Sequence, residues 1–425
     1  MVENKDMEEL KEGWRRVKLN EIINFNPKET LKKNTVAKYI EMANLQCFSR
    51  NILGYEEKEY KGGTKFRNGD TLLARITPCL ENGKTAYINC LEKNEVAFGS
   101  TEYIILREKE NISDKKFIYY LAISNEFREL AIKSMTGTSG RQRVQTDMLI
   151  NSEINLPPLE TQEKIASILS ALDDKIEINN EMNKTLEEMA QTLFKRWFID
   201  FDFPNENGEP YRSSGGKMVD SELGEIPEGW RIGSLEEVID KIIDNRGKTP
   251  PRTEVGIPLI EGNNIFLNET TPILNSKQKY VSEETYSSWF RAGHPEYLDI
   301  LCATVGTLPK WCFTPKNTKI CIAQNIIAIR SNDLISPYYL KMYIDTENFI
   351  KCFEGRIIAT AQPSIKVGHL TSLSIIIPIK KVINDFDKII KNIFKKREKN
   401  QQEIQSLIEI RDTLLPKLMS GEIEM

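Results

Sequence analysis

Two stretches of the chain carry a seven-residue beat. Ile165, Leu172, Asn179, Leu186 and Leu193 are spaced by seven, and 221 residues further on so are Phe386, Ile393, Asn400, Leu407 and Leu414. This pattern predicts two long amphipathic helices that meet along an apolar seam. Ile168, Met182 and Met189 in the first helix, with Ile389 and Ile410 in the second, are expected to fill the second row of that seam. An asparagine stands at the same central position in both copies. Buried in the seam, Asn179 and Asn400 would cost stability and fix register; on a wet edge they would do neither.

Ahead of each helix the pattern is different. Short apolar and β-branched runs such as Thr71–Ile76, Glu102–Leu106, Lys319–Ala323 and Ile326–Ile329 are separated by Gly, Asn, Asp and Pro, which predicts short strands. Phe117–Lys133 and Pro337–Phe353 are the helices expected within these parts. Each part reaches its long helix through proline, at Pro157-Pro158 and at Pro378.

The two halves also share residues. Residues 12–23 read EGWRRVKLNEII and residues 228–239 read EGWRIGSLEEVI, with seven identities in twelve positions. Asp70–Ala74 echoes Asp299–Ala303, Ile104–Arg107 echoes Ile327–Arg330, and Tyr119-Tyr120-Leu121 recurs as Tyr338-Tyr339-Leu340. The order is kept and the offset drifts only between 216 and 229, so the chain reads as an internal duplication. The expected fold is α+β: two β-rich domains of similar fold (1–157 and 227–378), separated by two long antiparallel coiled-coil helices (158–200 and 379–425) in a pseudo-two-fold repeat. Residues 201–226 form the linker, and Asp202–Lys217, rich in Pro, Gly, Asn and Ser, reads as an exposed connector.

Charge refines the helix pairing. Residues 160–199 hold five basic and eight acidic residues, whereas 380–418 hold ten basic and six acidic ones, so an acidic helix faces a basic one. The whole chain has 58 basic and 62 acidic residues, a formal net charge of -4, and therefore no global basic footprint for nucleic acid. Any such footprint must be local.

Several functions are poorly supported. No dinucleotide or nucleotide-triphosphate glycine loop, no H-E-x-x-H and no amino-methyltransferase NPPY-type tetrapeptide occurs. Glu59-Tyr60-Lys61 gives a nuclease-like E-x-K of the kind that chance supplies in so charged a chain. Two histidines and seven cysteines without a CxxC pair argue against metal sites and for reduced thiols in a cytoplasmic protein. No secretory signal and no membrane span are expected, because the densest apolar stretch, Leu373–Ile379, is short and broken by Ser374 and Pro378.

Four segments are more specific. They are the helix opening Leu156-Pro157-Pro158-Leu159-Glu160-Thr161-Gln162-Glu163-Lys164-Ile165-Ala166, the exit Leu193-Phe194-Lys195-Arg196-Trp197-Phe198-Ile199-Asp200-Phe201-Asp202, the junction Asp220–Trp230 and the end Leu414–Ile423. Together they resemble the conserved regions of type I restriction–modification specificity subunits. The second helix opens Pro378-Ile379-Lys380-Lys381-Val382 and lacks the PPLxEQ-like entry. The resemblance implies a non-catalytic subunit with two target recognition domains that reads a bipartite, asymmetric sequence in double-stranded DNA. It also implies docking of two modification (methyltransferase) subunits and of ATP-dependent restriction subunits. S-adenosylmethionine, ATP and magnesium would sit on those partners and no cofactor on this chain.

Base reading needs forked or amide side chains on loops. The candidates are Ser139, Arg141, Gln142 and Arg143 in one loop, with Gln362 in its counterpart. Arg75 and Thr77 after one run, Thr304 and Lys310 after its equivalent, the group Arg246, Lys248 and Thr249, and Gln324 with Asn325 complete the set. Each could equally contact phosphate or serve as an ordinary loop side chain. The competing reading is a non-DNA scaffold: two β-rich ligand-binding domains on a coiled-coil rod.

Overall fold

The computed structural model describes residues 11–425 apart from 139, 248, 268, 275, 276 and 360. The fold is mixed α+β, and the chain divides into two compact units, one running through Ile178 and including Ile404–Met425, the other Asn179–Glu403.

The first unit contains a four-stranded sheet of β1 (Ile23–Phe25), β2 (Thr71–Ala74), β3 (Thr85–Tyr87) and β4 (Tyr103–Glu108), in the order β1-β4-β2-β3. The second unit repeats it with β5 (Ile239–Asp244), β6 (Ile300–Ala303), β7 (Trp311–Phe313) and β8 (Ile326–Ser331), in the order β5-β8-β6-β7. All neighbours in both sheets are antiparallel. A second sheet repeats too. Val36–Ile40 pairs antiparallel with Glu56–Glu59 and parallel with Ala97–Gly99; Ile257–Ile260 pairs antiparallel with Lys279–Val281 and parallel with Cys321–Ile322. The duplication in the sequence is thus a duplication of strand topology.

Each four-stranded sheet has an ionic fork across its two middle strands, buried in the first unit and on a buried aspartate with a half-buried arginine in the second. Arg107 donates from Nε and Nη2 to the two carboxylate oxygens of Asp70 at 2.6 and 2.7 Å, and Arg330 does the same to Asp299 at 2.9 and 2.8 Å. Even the flanking bond recurs, with the main-chain N–H groups of Arg67 and Glu296 donating to the respective aspartates. The bidentate geometry suits a planar guanidinium and compensates its desolvation.

The helices expected at Phe117–Lys133 and Pro337–Phe353 are each two helices. The first breaks between Lys115–Ile123 and Asn125–Lys133, the second between Pro337–Ile344 and Glu347–Glu354. In each case a hydroxyl caps the new start: Ser124 accepts from the Phe127 N–H and Thr346 from that of Phe349. Apolar spacing continues through the break, and the capping side chains redirect the chain.

The long helices are α1 (Leu159–Phe194) and α2 (Lys380–Met419). In the second unit they run antiparallel: Asn400 donates to Asn183 at 2.9 Å, Arg397 pairs with Glu187, and Phe386 packs 6.0 Å from Phe194. In the first unit Arg411 pairs with Asp173 at 2.9 Å, both side chains under a tenth exposed, while Ile165, Leu169, Leu415 and Leu418 share one core. Asn179 and Asn400 are both fully buried, which excludes the wet edge. Asn400 bonds to Asn183, and the Asn179 amide has no hydrogen-bond partner among the described residues.

The second row of the seam lies one residue further along than expected. Ile168, Met189, Ile389 and Ile410 are 40–53% exposed, and the buried row runs through Leu169, Ile176 and Ala190 in α1 and Ile390, Arg397, Arg411 and Leu418 in α2. Arginines and small residues occupy it, so hydrophobicity alone points to the wrong neighbours. The supposed connector differs as well. Phe201 and Phe203 are buried, Phe203 stacks between Tyr211 (4.7 Å) and Trp230 (5.1 Å), and Asp202 accepts from the main chain and hydroxyl of Ser213. Two aromatic anchors tie down a segment whose composition is that of a turn-rich loop.

Asp70→Ala removes the partner of a buried guanidinium and is expected to lower the stability of the first unit by about 3 kcal/mol, the low end for a broken buried pair because Arg107 keeps Glu29. Urea unfolding followed by a probe in that unit measures it. A loss below about 1 kcal/mol would be that of a surface pair and would deny the fork its structural role.

Candidate nucleic-acid interface

The ionic forks sit at one end of the middle strands, and the sequence-predicted residues gather at the other. In the first unit three segments meet just beyond the β2–β4 pair. The Arg75 N–H donates to the Glu102 carbonyl at 2.9 Å, the Val144 N–H to the Arg75 carbonyl at 3.0 Å, and the Thr77 N–H to the Gln142 carbonyl at 3.0 Å. Arg75, Thr77, Gln142 and Arg143 are therefore neighbours. Arg141 is exposed beside them, its N–H bonded to Thr138. Ser139 lies outside the described residues.

The loop that carries these residues is shaped by glycine. Gly137 has φ +129, and a Cβ there would stand 3.0 Å from the Arg141 carbonyl oxygen, so the two limbs can close only over a residue without a side chain.

Side chains in the cluster are polar and unequally engaged. Arg143 grips Glu102 with Nε at 2.9 and 3.0 Å and Nη2 at 2.7 Å, and these bonds hold the guanidinium firmly protonated. Thr77 Oγ1 contacts Met135 Sδ at 3.8 Å. Arg75 Nε is buried with no hydrogen-bond partner among the described residues.

The second unit builds the same frame from different residues. The Thr304 N–H donates to the Asn325 carbonyl at 2.9 Å, the Ile365 N–H to the Thr304 carbonyl at 2.9 Å, and the Gly306 N–H to the Pro363 carbonyl at 2.9 Å. Thr304 is buried, and its hydroxyl adds a second bond to the Asn325 carbonyl at 3.1 Å, so its side chain serves the turn. Lys310 closes the β6–β7 hairpin through its carbonyl and donates from Nζ to the Gly262 carbonyl at 3.1 Å, 5.4 Å from the Phe266 ring. Gln324 and Gln362 are exposed on the segments that meet here, and Gln362 has a partner of its own.

Arg246 and Thr249 follow β5 and are exposed, but no hydrogen bond joins them to this cluster among the described residues. The Arg246 guanidinium is held by Asp244 at 2.8 and 2.9 Å, which raises its pKa further. Lys248 lies outside the described residues.

Glu102 is the residue that sequence reasoning passed over. Its signal was available: it stands two positions before the Ile104–Arg107 echo, just as Asn325 stands two positions before Ile327–Arg330.

The first part of the chain, residues 11–188, matches the family model of the type I restriction modification DNA specificity domain. The HindI specificity subunit of Haemophilus influenzae is 28% identical, over 89% of this chain and 91% of that one. The chain is thus similar to type I restriction–modification specificity subunits over most of its length. The MjaIX specificity subunit of Methanocaldococcus jannaschii is also 28% identical, over 73% of this chain and 69% of its own. The crystal structure of the S subunit from M. genitalium covers 97% of both chains with a TM-score of 0.53 at 16% identity, a likeness of fold. No helix among the described residues is long and apolar enough to cross a membrane.

Gly137→Ala should destabilise the first cluster by roughly 1–3 kcal/mol, since it forces a side chain into the left-handed region and against a carbonyl. Gln142→Ala should not, because its contact is made by the main chain. Limited proteolysis of the 137–143 loop reports the difference, and equal cleavage of the two variants would contradict the frame.

Proposed function

We propose that this chain is the non-catalytic sequence reader of a type I restriction–modification complex in the cytoplasm. It recognises an asymmetric, bipartite site in double-stranded DNA, one half-site through each three-segment cluster. It docks two modification subunits and ATP-dependent restriction subunits, on which S-adenosylmethionine, ATP and magnesium act. The observation that carries this reading is the duplicated cluster, in which one main-chain frame presents two different sets of forked, amide and hydroxyl side chains. Identical sets would read a palindrome; unlike sets read an asymmetric site.

The long helices suit the task of setting the gap between the half-sites. The 36 residues of α1 span about 54 Å at ~1.5 Å each, longer than the ~34–36 Å of one DNA turn. Asn179 and Asn400, buried in the seam, would help to hold its register. The near-neutral net charge is compatible with DNA binding if the modification subunits supply most phosphate contacts, which position the complex without specifying sequence.

Co-expression with modification subunits and methylome sequencing tests the reading. Adenine methylation at one bipartite, asymmetric motif is expected, and exchange of the 137–143 loop should change one half of the motif only. Methylation independent of this chain, or a loop exchange that alters both halves, would refute it. By calorimetry the isolated chain should bind neither S-adenosylmethionine nor ATP.

A further inference from the structure

The two clusters share their main-chain bonds and differ at two facing side chains. The N–H of Arg75 finds the Glu102 carbonyl as that of Thr304 finds Asn325, and the N–H groups of Val144 and Ile365 close on the carbonyls of Arg75 and Thr304. Position 102 therefore corresponds to 325 and position 143 to 364. In the first unit these are Glu and Arg, joined by three hydrogen bonds; in the second they are Asn and Ser. A facing pair that differs while the main-chain bonds around it repeat is placed to specify.

The chemistry of the pair says what it would specify. Glu102 holds the Nε edge of the guanidinium, so the far edge, Nη1 with the outer N–H of Nη2, is left as a two-donor fork. Arg143 makes no other side-chain hydrogen bond among the described residues, and it is 43% exposed against 24% for Glu102, so that edge is accessible. Two parallel donors match N7 and O6 of guanine in the major groove, a pattern no other base presents. The carboxylate contributes twice. It fixes the plane and rotamer of the arginine, which reduces the ordering cost of binding. Its negative charge also opposes approach of a phosphate more than approach of a neutral base edge.

We propose that Arg143 contacts a guanine in the half-site read by the first unit, with Glu102 as the positioning residue that aims it. This rests on the DNA-reading function proposed above. The second unit, with Asn325 and Ser364, carries no such fork, so the requirement belongs to one half-site.

The test uses the full-length chain, complexed with modification subunits, and a randomised duplex DNA library, with bound sequences counted for the parent, Glu102→Gln and Arg143→Lys. The parent should require guanine at one position of one half-site. Arg143→Lys replaces the fork by a point charge, and Glu102→Gln loosens the buttress; each should relax that single preference by roughly 10- to 100-fold. The other half-site should stay as selective as in the parent, which also reports that the variants are folded. A parent motif without guanine in the affected half would overturn the proposal. So would variants that keep the preference, or that weaken binding to all sequences alike, the mark of a phosphate contact or of a purely structural ion pair. A parent complex with no sequence preference would instead remove the DNA-reading function, and the guanine contact with it.

Discussion

The fork between a buried aspartate and an arginine is the constraint on which each unit is organised. Asp70 with Arg107, and Asp299 with Arg330, clamp adjacent middle strands at one end. The register of those strands then leaves little freedom at the other end, where Ala74 faces Tyr103 and Ala303 faces Ile326. The loops that carry the candidate readers spring from those fixed ends. A charged pair so placed tolerates little movement, because any slip of the strands would break the bidentate bonds to a desolvated carboxylate. Precision at the surface therefore derives from electrostatics in the core.

The helices use buried charge differently. In each unit the acid comes from α1 and the base from α2: Asp173 with Arg411 in the first, Glu187 with Arg397 in the second. At the repeat offset of 221, the α1 counterparts of these arginines are Ala190 and Ile176, so two copies of α1 would face buried acids with apolar residues. The net charges of the two segments point the same way, but the placement at seam positions gives the preference for the unlike partner its local cause.

Much of this was legible in the sequence, and the failures share a cause. The first seam row, through Ile165, Leu172 and Leu193, shows as period seven because apolar residues fill it. The second row was misplaced onto Ile168 and Met189 because the true one holds Ala190, Arg397 and Arg411, whose burial depends on partners across the seam. The echoes around Arg107 and Arg330 reveal the repeat, but not that these arginines grip buried aspartates, since those lie 37 and 31 residues away. Among the candidate readers, Arg75, Thr77, Gln142 and Arg143 do come together. Thr304 proves to serve its own turn, and Glu102 went unseen because an acidic residue does not look like a DNA contact until its arginine is beside it.

The repeated frame at the two clusters is made of N–H and carbonyl groups, atoms that every residue except proline possesses in full. Positions 102, 143, 325 and 364 enter or flank it through main-chain atoms, so its bonds do not depend on the side chains displayed there. Substitutions at 102, 143, 325 or 364 can accumulate without first passing through an unfolded intermediate. Under the proposed function, one cluster can in this way acquire a new preference at little thermodynamic risk while the other copy of the frame keeps its own.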